Sequence, residues 1–155
     1  KFHGISDAKA AQILAVTELS KRISALQAEE KLKITSPQDV SMLLMEEMRY
    51  LKKEYFKTVL LDTKNKILEV INISVGSLNS SIVHPREVFV EAIRRSSASM
   101  ILVHNHPSGE VQPSKEDINI TKRLAEAGNI IGIRILDHII IGDGVYLSFK
   151  EQGII

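Results

Sequence analysis

The spacing of apolar residues changes several times along the chain, and each change marks a predicted element. Residues 7–30 and 36–49 carry apolar side chains at roughly every third or fourth position, which predicts two helices. Ser6 or Asp7 can cap the first helix by accepting hydrogen bonds from its free amides. Ser36, followed directly by a proline, is typical of a helix start and predicts where the second helix begins.

The rest of the chain alternates between strand-like and helical patterns. Two apolar runs around a short polar loop predict a β-hairpin, and a third run, Ser99–Val103, predicts a buried strand. Helices are predicted from Pro85 and over residues 114–127, the second ending at Gly128 and Asn129 as a C-cap pair. The hairpin strands are predicted over Tyr55–Leu61 and Ile67–Val75, and the last strands over 130–136, 138–141 and 145–149.

This order of elements predicts an α/β fold in which a mixed β-sheet is flanked by helices. The charged residues 29–33 resemble a linker. We therefore divide the chain into a helical appendage with its linker over residues 1–33 and a domain over residues 34–155. Because the sequence starts without an initiator Met, we expect it to be part of a longer protein.

Composition narrows the chemistry that this domain can carry. The chain has 155 residues, of which 44% are hydrophobic, and it contains no Cys, which excludes disulfides, cysteine-based metal sites and a cysteine nucleophile. The net charge of +1 argues against a polybasic surface for nucleic acid or membranes. Since the sequence shows no secretory signal and no membrane span, we expect a cytoplasmic protein without a membrane partner. Any bound metal must use His and carboxylate ligands.

One segment combines such ligands. His104 and His106 are two residues apart at the end of a predicted strand, so their side chains point to the same face. Pro107 has no amide hydrogen and ends the strand there. Asp117 follows in the first turn of the next predicted helix. Two imidazoles and one carboxylate suit Zn²⁺, with the fourth position left to water as in catalytic sites.

Simpler interpretations of the same residues stay open at this point. A His-x-His pair occurs in many proteins that bind no metal. The spacing of Ser114 and Asp117 also matches a capping box, which stabilises a helix start without any metal.

The complete pattern resembles a known signature. His104-x-His106-Pro107 followed by Ser114-x-x-Asp117 resembles the JAMM motif of the MPN-domain metalloproteases, and its His-Asn-His-Pro-Ser-Gly form is similar to that of the bacterial RadC family. Further blocks that resemble this family are Leu61–Asn65, Gly76–Asn79, His84–Glu87 and Leu136–His138, within a likeness that covers residues 36–155.

The resemblance implies an MPN/JAMM fold with a cytidine-deaminase-like core and a zinc hydrolase activity. Zn²⁺ would be held by the two histidines and Asp117 of the motif. Zinc lowers the pKa of a bound water to about 7, which supplies a nucleophile at neutral pH. Glu54, just before the first strand, corresponds to the glutamate that takes the proton of this water and returns it to the leaving amine. Glu69 and Glu87 are the competing candidates, and a solvated charged end is the alternative interpretation of Glu54.

Other polar residues receive less specific roles. Ser114 would help zinc to stabilise the oxyanion, or it would serve as a plain N-cap. We interpret His84 and His138 as structural, although Asp137 and His138 could supply a hydrogen-bond partner for a metal ligand.

The motif and the resemblance lead to three hypotheses about function. The first is a JAMM-type hydrolase that cleaves a peptide or isopeptide bond of a protein or peptide substrate, with specificity set by residues 75–83 and 108–112. The alternatives are a non-catalytic MPN-like binding module and a DNA-repair-associated protein. Residues Gly4–Ala10 resemble the tail of a helix-hairpin-helix segment, but Ser6 replaces a usual glycine, so we do not expect this chain to bind DNA. Free sheet edges are surfaces that a homodimer could pair.

Overall fold

The computed structural model describes residues 6–29, 32–76 and 83–155, which contain both helices and strands. The chain divides into two units, Lys1–Leu32 and Lys33–Ile155. The predicted α/β class, with a mixed sheet flanked by helices, is confirmed. The helices are α1 (Asp7–Glu29), α2 (Pro37–Met48), α3 (Pro85–Arg94) and α4 (Lys115–Ile131), and the strands are β1 (Tyr55–Leu61), β2 (Ile67–Val75), β3 (Ser99–Asn105), β4 (Arg134–Ile141) and β5 (Tyr146–Ser148).

The first unit contains α1, which begins after Ser6. The Ser6 hydroxyl accepts a hydrogen bond from the Lys9 amide at 3.3 Å, so it caps the helix as predicted. Gly4 and Ile5 of the segment that resembles a helix-hairpin-helix tail lie outside the described residues, and the nature of this unit stays a prediction. No helix in the described part of the chain has an apolar stretch of the length needed to cross a bilayer.

The second unit is organised around a five-stranded sheet in the order β2-β1-β3-β4-β5. β1 pairs antiparallel with β2 and β3, β3 pairs parallel with β4, and β4 pairs antiparallel with β5. β3 is the central strand, and all seven of its residues are buried. The apolar run Met100–Val103 is therefore buried within the sheet, and it leads directly to His104, the first histidine of the motif.

Helices cover both faces of the sheet, and strand alternation assigns each residue to one of two cores. On one face, Phe56 and Leu102 pack in a cluster with side chains of α3 and α4, including Phe89 and Leu124. On the other face, Val59 and other strand residues pack with side chains of α2. His104, two residues after Leu102, lies on the α4 face and stacks against Phe56 at a centroid distance of 6.3 Å.

The predicted end of α4 is wrong. The helix continues through Gly128 to Ile131 and ends at Gly132, whose φ of +84° is the left-handed conformation that favours glycine. Gly128 has another reason to lack a side chain, since a Cβ there would lie 2.5 Å from the carbonyl oxygen of Ile133. The expected strand over 130–136 therefore loses its first residues to the helix.

The two short strands expected over 130–136 and 138–141 form the single strand β4. Asp137 does not interrupt it, because its buried carboxylate accepts hydrogen bonds from the amides of His138 and Lys150 and from the Ser148 hydroxyl. β3 extends two residues beyond its predicted end, to Asn105, and β5 is shorter than the predicted 145–149.

Candidate metal centre

Two imidazoles meet at the end of β3. The Nε2 atoms of His104 and His106 are 2.9 Å apart, as expected for residues two apart on a strand. The His106 amide donates to the carbonyl of Ile141 at 3.0 Å, which keeps the chain beside the end of β4 before Pro107 turns it away. His104 is fully buried, and the His106 side chain is 15% exposed, so the pair lies at the rim of the core.

Asp117 approaches both imidazoles from the first turn of α4. Its Oδ1 lies 3.4 Å from Nε2 of His104, and its Oδ2 lies 3.6 Å from Nε2 of His106. The Ser114 amide and hydroxyl donate to Oδ2 at 2.7 and 2.6 Å, while the Asp117 amide donates to the Ser114 hydroxyl oxygen at 3.1 Å. The predicted capping box is therefore formed, and it orients the carboxylate toward the histidines.

The pKa values of all three side chains are shifted from their ordinary values. Burial lowers the pKa of His104 to about 3, so this imidazole is neutral. Burial would raise the pKa of Asp117, but the contact with His106, the charge effect of His104 and the Ser114 hydrogen bonds bring it below its ordinary value of 3.8. The nearby Asp117 carboxylate raises the pKa of His106 above 6.5, against the effect of burial.

The other ring nitrogen of each histidine is also engaged. His106 donates from Nδ1 to the Glu110 carbonyl oxygen at 2.8 Å. Nδ1 of His104 lies 2.7 Å from Nε2 of His138, and Nδ1 of His138 lies 2.6 Å from Oγ1 of Thr121. Burial lowers the pKa of His138 well below 6.5, so this third imidazole is neutral too. Such partners fix the orientation of ligating rings.

A cavity of about 290 Å³ opens beside these groups, and Glu54 lines it together with His106, Ser114 and Asp117. The negative charge of Glu54 contributes to the raised pKa of His106. The structure thus brings Glu54 to the candidate metal centre. Its catalytic role stays a prediction.

The competing glutamates lie elsewhere. Glu69 on β2 forms an ion pair with Arg95, and Glu87 in the first turn of α3 forms one with Arg86 at 3.1 Å. Neither residue lines the cavity that contains Glu54.

Asn105 fixes the backbone on both sides of Glu54. It is 1% exposed, and its side chain lies on the sheet face opposite the two histidines. Its Oδ1 accepts from the Tyr55 amide at 2.8 Å, and its Nδ2 donates to the Lys53 carbonyl at 3.1 Å. The same tripeptide therefore supplies two imidazoles to the centre and a clamp for the residue that faces them.

The donor set fits a tetrahedral zinc ion. Zinc bonds of 2.0–2.1 Å to nitrogen place neighbouring ligand atoms about 3.3 Å apart. The two Nε2 atoms are 2.9 Å apart, Oδ1 of Asp117 lies 3.4 Å from Nε2 of His104, and Oδ2 lies 3.6 Å from Nε2 of His106. With one ligand atom taken from each residue, the three atoms lie within 4.8 Å of one another. Within the described part of the chain, His104, His106 and Asp117 form a group that could hold a metal ion.

The motif identified the three candidate ligands, but it did not identify their partners. His138 was interpreted as structural, with a contact to a ligand as an option, and the structure places it directly against His104. No sequence pattern points to Thr121 or Asn105. Their contacts depend on how α4 packs against β4 and how β3 pairs with β1, which local spacing does not show. His84, also interpreted as structural, is the N-cap of α3 and accepts from the Arg86 amide at 3.2 Å. Of the two proposed specificity loops, residues 77–82 lie outside the described residues.

The mixed sheet, with a His–His–Asp group at the end of its central strand, defines a JAB/MPN-type domain. The model of the RadC-like JAB domain matches residues 34–154, and the chain belongs to this family.

The chain is similar to bacterial proteins named UPF0758 protein. It is 64% identical over 153 residues to one from Alkaliphilus metalliredigens and 66% identical over 152 residues to one from Alkaliphilus oremlandii, with 99% and 98% of this chain covered. A relative from Clostridium tetani is 56% identical over 154 residues, which is 99% of this chain and 68% of that protein. The chain spans 66% of the length of each Alkaliphilus protein, and their printed names state no activity.

Proposed function

We propose that this chain is a zinc-dependent hydrolase domain of JAMM type that cleaves a peptide or isopeptide bond in a protein or peptide substrate. The observation that carries the proposal is the convergence of three ligands on one point beside a cavity that Glu54 also lines. A binding module has no need of an acidic side chain facing an open-sided His–His–Asp group.

In this proposal His104, His106 and Asp117 hold the metal. Zinc, when bound, lowers the pKa of water to about 7 and polarises a carbonyl oxygen. Glu54 accepts the proton of the attacking water on its carboxylate and delivers it to the amine that leaves when the amide bond breaks.

Ser114 has two proposed roles. Its hydroxyl hydrogen is directed to Asp117 at 2.6 Å, which supports a role in orienting that ligand. To stabilise an oxyanion, the same hydrogen would have to leave Asp117, so this second role stays a prediction.

The first test is the metal content of the chain purified without chelators. We expect about one zinc per chain, as a site with three protein ligands binds one ion. H104A and D117A should each lose the metal. H84A is the matched control, because His84 caps α3 and has no contact with the centre, so this variant should keep its zinc. Wild-type protein that takes up no zinc would contradict the proposal.

The second test separates hydrolysis from binding. E54Q keeps the size of the side chain but cannot accept a proton. We expect it to retain zinc and to lose at least about 100-fold of the cleavage rate on a fluorogenic library of peptides and lysine isopeptides. E87Q, which changes a glutamate outside the cavity, is the control and should cleave like the wild type. Zinc binding without any cleavage by the wild type would favour the binding module.

A further inference from the structure

A chain of three hydrogen bonds connects one candidate ligand to the backbone of another. Nδ1 of His104 lies 2.7 Å from Nε2 of His138, Nδ1 of His138 lies 2.6 Å from the Thr121 hydroxyl, and that hydroxyl lies 2.6 Å from the carbonyl oxygen of Asp117. His104, His138 and Thr121 have no exposed surface. The chain therefore runs inside the core from β3 through β4 to the first turns of α4.

The direction of this chain follows from its last member. The Asp117 carbonyl can only accept, so the Thr121 hydroxyl donates its single hydrogen there. The hydroxyl oxygen must then accept from Nδ1–H of His138. A neutral imidazole has one N–H, so Nε2 of His138 is an acceptor, and it accepts from Nδ1–H of His104.

This assignment leaves Nε2 of His104 without a proton. Nε2 is the atom that faces His106 at 2.9 Å and Asp117 at 3.4 Å. In the reversed chain, a hydrogen would occupy this nitrogen, and the Thr121 oxygen would face the Asp117 carbonyl at 2.6 Å with no hydrogen between them. Burial keeps water from replacing the missing partner.

We propose that His138 and Thr121 are positioning residues that hold His104 in the Nδ1–H tautomer and so keep its Nε2 lone pair available for the metal. This inference rests on the proposed function for the presence of a metal. The tautomer of His104, however, is a property of the polypeptide whether or not a metal is bound. Most ligating histidines donate their second N–H to a carboxylate, a carbonyl or water. Here the acceptor is the neutral imidazole of His138, which in turn donates to Thr121. The hydrogen-bond chain ends at the backbone carbonyl of Asp117, the third candidate ligand.

The first experiment needs no variant. Imidazole ¹⁵N chemical shifts of the metal-free wild-type chain, measured by long-range ¹H–¹⁵N correlation, distinguish Nδ1–H from Nε2–H rings. We expect His104 and His138 both to be Nδ1–H. A proton on Nε2 of either ring would overturn the proposal, whether or not the chain binds a metal.

The second experiment changes the far end of the chain. T121V removes the hydroxyl at nearly constant volume, so Nδ1–H of His138 loses its acceptor and the tautomer is no longer imposed on His104. We expect zinc affinity, measured by competition with a chromophoric chelator, to fall by about 10- to 100-fold. T121S keeps the hydroxyl and is the matched control, with an affinity within about threefold of the wild type.

The outcomes separate the two proposals. Wild-type protein that binds no zinc would overturn the proposed function, while the ¹⁵N shifts would still decide the tautomer. If the wild type binds zinc and folded T121V, checked by circular dichroism, binds it equally well, the positioning role is overturned and the proposed function stands. If T121V does not fold, the wild-type shifts alone decide the inference.

Discussion

Asn105 stands between the two histidines of the motif, and strand alternation turns its carboxamide to the opposite face of the sheet. There it bonds to the residues before and after Glu54, through the Lys53 carbonyl and the Tyr55 amide. One tripeptide thus serves two purposes: its outer members face the metal centre and its middle member fixes the loop that presents the proposed base.

We predict that N105A lowers the free energy of unfolding by about 1–3 kcal/mol, because it removes a buried side chain and leaves the part-buried Tyr55 amide and Lys53 carbonyl without this partner. N72A, which removes an exposed amide on β2, should change it by less than about 0.5 kcal/mol. Urea unfolding followed by circular dichroism measures both. Equal stabilities of the two variants would show that the clamp contributes nothing.

The sequence alone was sufficient to select the candidate ligands His104, His106 and Asp117. It was insufficient to identify the residues that orient their side chains. The spacing of His104, His106 and Asp117 along 14 residues of the chain is local, so a motif can carry it. The contact between His104 and His138 spans 34 residues and depends on the register of the parallel pairing of β3 and β4. Periodicity contains no information about that register.

At the scale of elements, the loop after β3 is held against the turn between β4 and β5. The Asp143 amide donates to the Gly109 carbonyl at 3.2 Å, and the Asp143 side chain accepts from Arg49 of the α2 C-cap at 2.7 Å. Gly142 permits the approach, since a Cβ on it would lie 2.2 Å from the oxygen of Gly109. This loop also carries the Glu110 carbonyl that orients His106.

We predict that G142A displaces the loop, lowers the free energy of unfolding by about 1–3 kcal/mol and weakens zinc binding. G128A is the matched control. Its Cβ would also meet a backbone oxygen, that of Ile133 at 2.5 Å, but at the far end of α4 from Asp117. It should reduce stability and leave zinc affinity unchanged. Chelator competition and thermal unfolding of both variants provide the comparison, and an equal loss of affinity would refute a specific role of the loop.

The sequence predicted most elements because their signals are local. Ser36 and Ser114 mark helix starts that the structure confirms as capping boxes. The errors lie where tertiary contacts decide. Gly128 was interpreted as a helix end, yet it is a glycine that allows the Ile133 carbonyl to approach. Asp137 divided a predicted strand, although buried partners satisfy its carboxylate within β4.

In the molecule as a whole, a bound metal would link the stability of the fold to pH through His106. Its contact with the Asp117 carboxylate at 3.6 Å raises its pKa above 6.5, so without metal this contact stabilises the fold at pH values below 6.5. The stabilisation is lost as the pH rises through the raised pKa. Under the proposed function, zinc would compete with a proton for Nε2 of His106, so zinc affinity would increase over the same pH interval.

We predict that zinc raises the unfolding midpoint more at pH 8 than at pH 6. The free zinc concentration is the same at both pH values and is set to about 100 times the dissociation constant at pH 8. The stabilisation is then about 2.7 kcal/mol at pH 8 and smaller at pH 6, where the dissociation constant is larger. EDTA should reverse it. The midpoint of D117A, measured in the same titrations by calorimetry, should not respond to zinc at either pH. A zinc-dependent shift that is equal at both pH values would contradict the linkage through His106.

The capping box of α4 has a consequence for the order in which the centre is assembled. Ser114 holds Asp117, Glu110 holds His106, and His138 holds His104, all through bonds between protein atoms. The receptor for the ion is therefore finished when the polypeptide has folded. Zinc fingers, by contrast, acquire their shape from the ion. If the domain binds zinc as proposed, a newly synthesised copy would fold first and take up the ion afterwards, and the ion would add stability to a fold that has already formed.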